Sequence, residues 1–183
     1  MHYHCELWLP EVPESRAELE QVIEPIMLPY SEHIDKNKTA FWDWYQIGGR
    51  WTGEHDKYDP YMDIKNQEIC NLCNGTGTRP DHLASEGNRG CNACQGTGVK
   101  IRYNLLPHDA DVMRLEDVRD DMDCYTLVVP LPKLKKAKVF HKEIWNGTTF
   151  VVSTKFTGDK VKEFLKKKLK ITTGYLVTID YHC

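Results

Sequence analysis

The sequence predicts an α+β fold, a ferredoxin-like sandwich interrupted by a long insertion that carries a single-zinc knuckle. Three observations lead there. Stretches of period two and of period three to four follow one another as strand, helix, long interruption, two or three strands, helix and strand. The interruption, roughly Tyr30 to Met122, is too long for a plain connection between core elements. Within it one eight-residue pattern occurs twice, Cys70-Asn-Leu-Cys73-Asn-Gly-Thr-Gly77 and Cys91-Asn-Ala-Cys94-Gln-Gly-Thr-Gly98.

Tyr3, Cys5, Leu7 and Leu9 alternate with His2, His4, Glu6 and Trp8, the repeat of a strand with one apolar face, and Pro10 ends it. Glu14 and Ser15 open a helix in which Leu19, Val22, Ile23, Ile26 and Met27 recur at three- and four-residue steps, with Pro25 and Pro29 kinking or stopping it. Thr126 to Val129, Lys138 to Trp145 and Thr149 to Lys155 read as strands, the last two joined as a hairpin across Asn146-Gly147. Gly158-Asp159 precedes a second helix striped by Val161, Phe164, Leu165 and Leu169, with lysines on the remaining surface. Tyr175 to Tyr181 closes the sheet. First and last strands are antiparallel neighbours in a ferredoxin-like sheet, which sets His2 and His4 across from Asp180 and His182. The chain is thus expected to divide into an α+β core (1–30 and 122–183), a Trp/Gly-rich segment (31–66), a zinc-binding insertion (67–103) and an acidic connector (104–121).

Composition narrows the function. With 24 basic against 27 acidic residues, the chain as a whole lacks the charge of a general nucleic-acid coat. No apolar run approaches the ~20 residues of a membrane helix, and the first residues lack the order of a signal peptide. A cytoplasmic setting without membrane attachment is expected. Three of the seven cysteines, Cys5, Cys124 and Cys183, are scattered, which argues against a secreted disulfide framework.

The other four carry the clearest chemistry. Paired Cys-x-x-Cys turns bring thiolates to ~2.3 Å from one zinc, and the following glycines let the backbone fold back toward the metal. Cys70, Cys73, Cys91 and Cys94 are the expected ligands of one structural Zn2+; four thiolates leave no open position for a catalytic water. Over residues 70–98 the doubled motif resembles half of the cysteine-rich module of DnaJ-type co-chaperones, which carries four repeats and two zincs. The chain lacks the His-Pro-Asp tripeptide of those chaperones. The resemblance implies a structural zinc and a knuckle surface that contacts a protein chain.

Phe41-Trp42-Asp43-Trp44-Tyr45-Gln46-Ile47-Gly48-Gly49-Arg50-Trp51 is the second unusual segment. Its aromatics either plug the core or rim a pocket where Arg50 clamps a phosphate or carboxylate. It looks like a group of small phage and bacterial proteins with a Trp-Asp-Trp-Tyr-x-Ile-Gly-Gly-Arg-Trp segment, which implies a phage-encoded origin. Arg50, His141, Asp180 and His182 are the remaining candidates for chemistry; Asp180 and His182 share one strand face, and with His4 or His2 opposite, an imidazole and carboxylate cluster there would bind a second metal or act as an acid and base pair. The reading favoured over an enzyme is a zinc-binding accessory protein that binds a host protein or nucleic acid through its insertion and interferes with a host process such as defence. The alternative is an enzyme or sequestering protein acting on a nucleotide or phosphodiester in an Arg/His/Asp pocket.

Overall fold

The computed structural model describes residues 1–55, 62–79, 90–102, 108–131, 136–140 and 156–183. Along the chain these form β1 (His2–Leu9), α1 (Arg16–Met27), β2 (Trp44–Ile47), β3 (Gln67–Ile69), β4 (Val99–Ile101), β5 (Val112–Arg114), β6 (Asp123–Cys124), β7 (Thr126–Leu131), β8 (Lys136–Phe140), β9 (Phe156–Thr157), α2 (Gly158–Leu169) and β10 (Tyr175–His182). The expected hairpin at Asn146-Gly147 and the strand to Lys155 lie outside the described residues. The chain divides into two compact units, Met1–Tyr58 with Pro107–Cys183, and Asp59–Leu106. No helix among the described residues is long and apolar enough to cross a membrane.

Local chemistry sets the helix ends. Ser15 caps α1 by accepting from the Glu18 N–H at 3.2 Å, while its hydroxyl donates to Glu18 Oε2 at 2.9 Å. Pro25 sits inside α1, which runs on to Met27, and Pro29 falls in the 3-10 turn that follows. Lys170 ends α2 in the left-handed conformation, and the Ile171 N–H reaches back to the Leu165 carbonyl at 3.0 Å.

In the first unit the strands form one sheet in the order β2-β10-β1-β7-β8, with β5 pairing the half of β10 that β2 leaves open. β1 and β10 run antiparallel over their full length, from His2 opposite His182 to Leu9 opposite Tyr175. The chain ends meet there, the Met1 ammonium donating to the Cys183 carbonyl and the Cys183 N–H to the Met1 carbonyl. β7 lies parallel to β1, and β8 returns antiparallel at the edge. β6 and β9 form a separate two-stranded ladder.

The α+β class stands, but the layers differ from the ferredoxin-like expectation, which puts both helices on one face. Cys5, Leu7, Leu9, Val128, Val177 and Ile179 pack with Leu19, Ile23 and Met27 of α1. Trp8, Leu127, Val129 and Leu176, from the opposite parity of the same strands, pack with Val161 and Leu165 of α2. The helices therefore cover opposite faces. The strand order differs as well: β7, the first strand after the interruption, lies beside β1 and parallel to it, whereas neighbouring strands of a ferredoxin-like sheet are antiparallel. The cause lies in β1, whose Trp8 adds an apolar side chain to the parity that also carries His2, His4 and Glu6. Burying each large apolar side chain contributes roughly 1.5–3 kcal/mol, so both faces are worth covering.

In the second unit β3 and β4 pair antiparallel and flank the cysteine turns.

Candidate metal centre and a buried histidine–carboxylate ladder

The two cysteine repeats fold as near copies of each other. In each, the N–H of the first glycine returns to the first cysteine's carbonyl, Gly75 to Cys70 at 3.2 Å and Gly96 to Cys91 at 3.0 Å. The threonine hydroxyl then donates to the second cysteine's carbonyl, Thr76 to Cys73 at 2.8 Å and Thr97 to Cys94 at 2.6 Å. The repeats also lock onto each other, with Cys70 N–H on the Gly98 carbonyl at 2.9 Å and Cys91 N–H on the Gly77 carbonyl at 2.7 Å. Glycine is required at that crossing. Gly77 and Gly98 both have positive φ, and a Cβ would stand 2.2 Å from the Gly96 carbonyl oxygen or 2.3 Å from that of Gly75.

The result is a buried cluster of Cys70, Cys73, Cys91 and Cys94 whose sulfurs all lie within 4.8 Å of one another. Sulfurs ~2.3 Å from a central ion stand about 3.8 Å apart along a tetrahedral edge. Cys70 and Cys91 are 3.8 Å apart, Cys73 and Cys94 3.7 Å. The four thiols are positioned to bind one metal ion. Burial opposes ionisation of Cys94, but the Gly98 N–H at 3.3 Å and the neighbouring thiols bring it down to about 6, while burial pushes the neighbouring Cys91 thiol up to about 11.

The first unit holds a second concentration of chemistry, on the sheet face shared with α2. Four cross-strand pairs line it: His2 with His182, His4 with Asp180, Glu6 with Thr178, and Trp8 with Leu176. Glu6 is fully buried, and its Oε1 accepts from His4 Nε2 at 2.7 Å, His55 Nε2 at 3.1 Å and the Thr178 hydroxyl at 3.1 Å. Trp51 stacks on His4 with ring centres 5.4 Å apart. Burial pushes the Glu6 carboxyl up, yet the charge of His55 and the hydrogen bonds from both imidazoles outweigh it and hold the group at about 2. Burial likewise works against a charged His55, but Glu6 raises it above its ordinary 6.5. Below pH 6.5 the two form an internal ion pair, and among the described residues Glu6 Oε2 and both Nδ1 atoms have no hydrogen-bond partner.

Further along the face, His2 Nδ1 meets Asp180 Oδ1 at 2.8 Å and His182 Nδ1 meets Asp43 Oδ1 at 2.9 Å. The hydrogen bond from His182 is the main reason that Asp43 lies below the usual carboxylate range. Asp180 and His182, chosen from the sequence, are therefore brought to one place. Arg50 joins them through its backbone, whose N–H donates to Asp180 Oδ2 at 3.1 Å, while its side chain is exposed. His141 lies outside the described residues.

The aromatic segment divides between buried and exposed positions. Phe41 and Trp42 are buried, with Trp42 Nε1 donating to the Met27 carbonyl at 3.0 Å, whereas Trp44 is exposed and its ring stands 5.7 Å from that of His2. Gly48-Gly49 threads the backbone between two buried carboxylates. A Cβ on Gly48 would lie 2.4 Å from an Asp111 oxygen, and one on Gly49 2.3 Å from Asp180 Cβ. Asp111 is held in turn by Arg16 at 2.9 Å. Gly49→Ala, at φ +59°, is expected to cost at least about 1–3 kcal/mol in backbone strain, with the clash in addition. An unchanged urea midpoint would show that Asp180 is not held against this turn.

Sequence reasoning missed Glu6, His4 and His55 as one network and missed the Arg16–Asp111 pair. On α2, Lys162 pairs with Asp120 at 2.7 Å and Lys167 with Glu163, so part of the basic face is neutralised locally. No protein-family model, curated protein or solved structure matches this chain.

Proposed function

We propose that the chain is a zinc-binding accessory protein in which one structural Zn2+ shapes the second unit into a module that docks a protein partner. The observation that carries this reading is the thiol cluster with sulfur separations of 3.7 and 3.8 Å. Four thiolates in a tetrahedron select zinc over hard cations, and four protein ligands leave no position for substrate. A reducing compartment such as the cytoplasm suits free thiols in this role.

A protein partner is favoured over nucleic acid by the surface of the same unit. Among its described residues Met62, Ile64, Ile69 and Leu72 are exposed, the aliphatic surface that a protein chain covers. Its charge is balanced, with Asp59, Asp63, Glu68, Asp81 and Glu86 against Lys65, Arg79, Arg89, Lys100 and Arg102. The likeness of the Trp/Gly segment to phage proteins directs the search to host lysates, where interference with a host process is the role to test. The nucleotide or phosphodiester alternative has less support, because Arg50, its intended anion clamp, meets Asp180 through its backbone.

The test is elemental analysis of reduced protein together with capture from lysate. At least one zinc per chain is expected, along with a co-eluting protein that survives nuclease and is lost with the double variant Ile69→Asp, Leu72→Asp. Metal-free material, or a partner released by nuclease, would overturn the reading.

A further inference from the structure

His2 and His182 face each other across the β1–β10 ladder, with ring centres 5.3 Å apart. Each has its Nδ1 committed to a carboxylate, His2 to Asp180 and His182 to Asp43. We propose that the two imidazoles form a second metal site, for a borderline transition-metal ion such as Zn2+ or Ni2+, binding through their Nε2 atoms.

Three observations support this. A carboxylate on one ring nitrogen is the arrangement that fixes the tautomer of a metal-binding histidine, leaves the other nitrogen's lone pair for the ion and raises its basicity. Here it occurs twice, on adjacent rings. Two imidazoles sharing one tetrahedral ion, with bonds of ~2.0–2.1 Å, have ring centres roughly 5 Å apart, close to the separation found. The rings are also reachable: the side chains of His2 and His182 are 26% and 40% exposed, leaving room for water to complete the coordination. Nitrogen donors suit zinc, nickel and copper and disfavour calcium and magnesium, while the two aspartates behind the rings offset the charge of the ion.

The site shares no residue with the thiol cluster, and its test leaves that cluster loaded. Untagged protein carrying zinc on its cysteines is titrated with Ni2+ by calorimetry at neutral pH, with the fluorescence of Trp44, whose ring adjoins His2, as a second readout. One saturable equivalent is expected. His2→Ala and His182→Ala should each weaken it at least tenfold, and Asp43→Asn, which keeps both ligands, by 10–100-fold. Two controls should bind as wild type: His33→Ala, whose ring is tied to the Asp43 carbonyl, and Cys183→Ser. Circular dichroism confirms that each variant is folded. Absence of a saturable equivalent, or one indifferent to both histidine substitutions, would overturn the proposal.

Discussion

Stripping the metal from the four-cysteine site, or replacing Cys73 or Cys94 with serine, is expected to unfold residues 62–79 and 90–102 and leave the six-stranded sheet intact. The expectation follows from what that unit buries. Its buried cluster is the four cysteines themselves, and of its other described side chains only Ile101 and Asn66 are buried. Ile64 and Ile69, which could have built a core, are exposed. Ordering such a chain costs about 1–2 kcal/mol per residue in backbone entropy alone, with little hydrophobic burial to offset it. Structural zinc supplies an apparent 10–16 kcal/mol in small metal modules, so metal binding and folding here should be one event. Amide exchange read residue by residue, with and without a chelator, checks this. Protection should vanish around Cys70–Gly77 and Cys91–Gly98 while β1, β7 and β10 keep theirs. Unaltered protection in the cysteine turns of metal-free protein would refute it.

The second large effect belongs to Glu6. Replacing it with alanine leaves a buried His55 charge without its partner, and breaking a buried pair in this way costs about 3–5 kcal/mol. Chemical denaturation should report a loss of that size, and a change below 1 kcal/mol would mean that Glu6 and His55 do not form an ion pair. The pH profile gives an independent check. Glu6 is held below its ordinary 4.5, so its contribution is complete above that value and lost as pH falls toward 2. His55 is held above 6.5, so its contribution is complete below that value and lost as pH climbs through its raised value. Both contributions are whole between about 4.5 and 6.5, and Glu6→Gln should flatten the profile on both sides.

The cysteine cluster was legible in the sequence because coordination by Cys-x-x-Cys is encoded within eight residues, glycines included. β1, α1, β7, α2 and β10 were legible for the same local reason, and the antiparallel pairing of the end strands brought His2 and His4 opposite His182 and Asp180, whereas β2 and β5, which the interruption adds to the sheet, were not. The buried network was not. Glu6 and His4 occupy the parity that alternation assigns to solvent, and they are buried because α2 and the Trp51–His55 turn cover that face. His55 lies in a segment without periodicity, and Arg16 reads as an ordinary exposed position of a first helical turn. Such placements depend on which element packs where, which one strand's pattern does not state. Trp8 was the available hint, a large apolar residue out of phase with its neighbours.

The adjacency of Met1 and Cys183 has a mechanical consequence. Tension applied at these two points would act crosswise on the β1–β10 ribbon and open it like a zipper, rupturing rungs in succession from His2–His182 inward, so the sheet should yield to pulling at forces far below those needed to shear the same strands lengthwise.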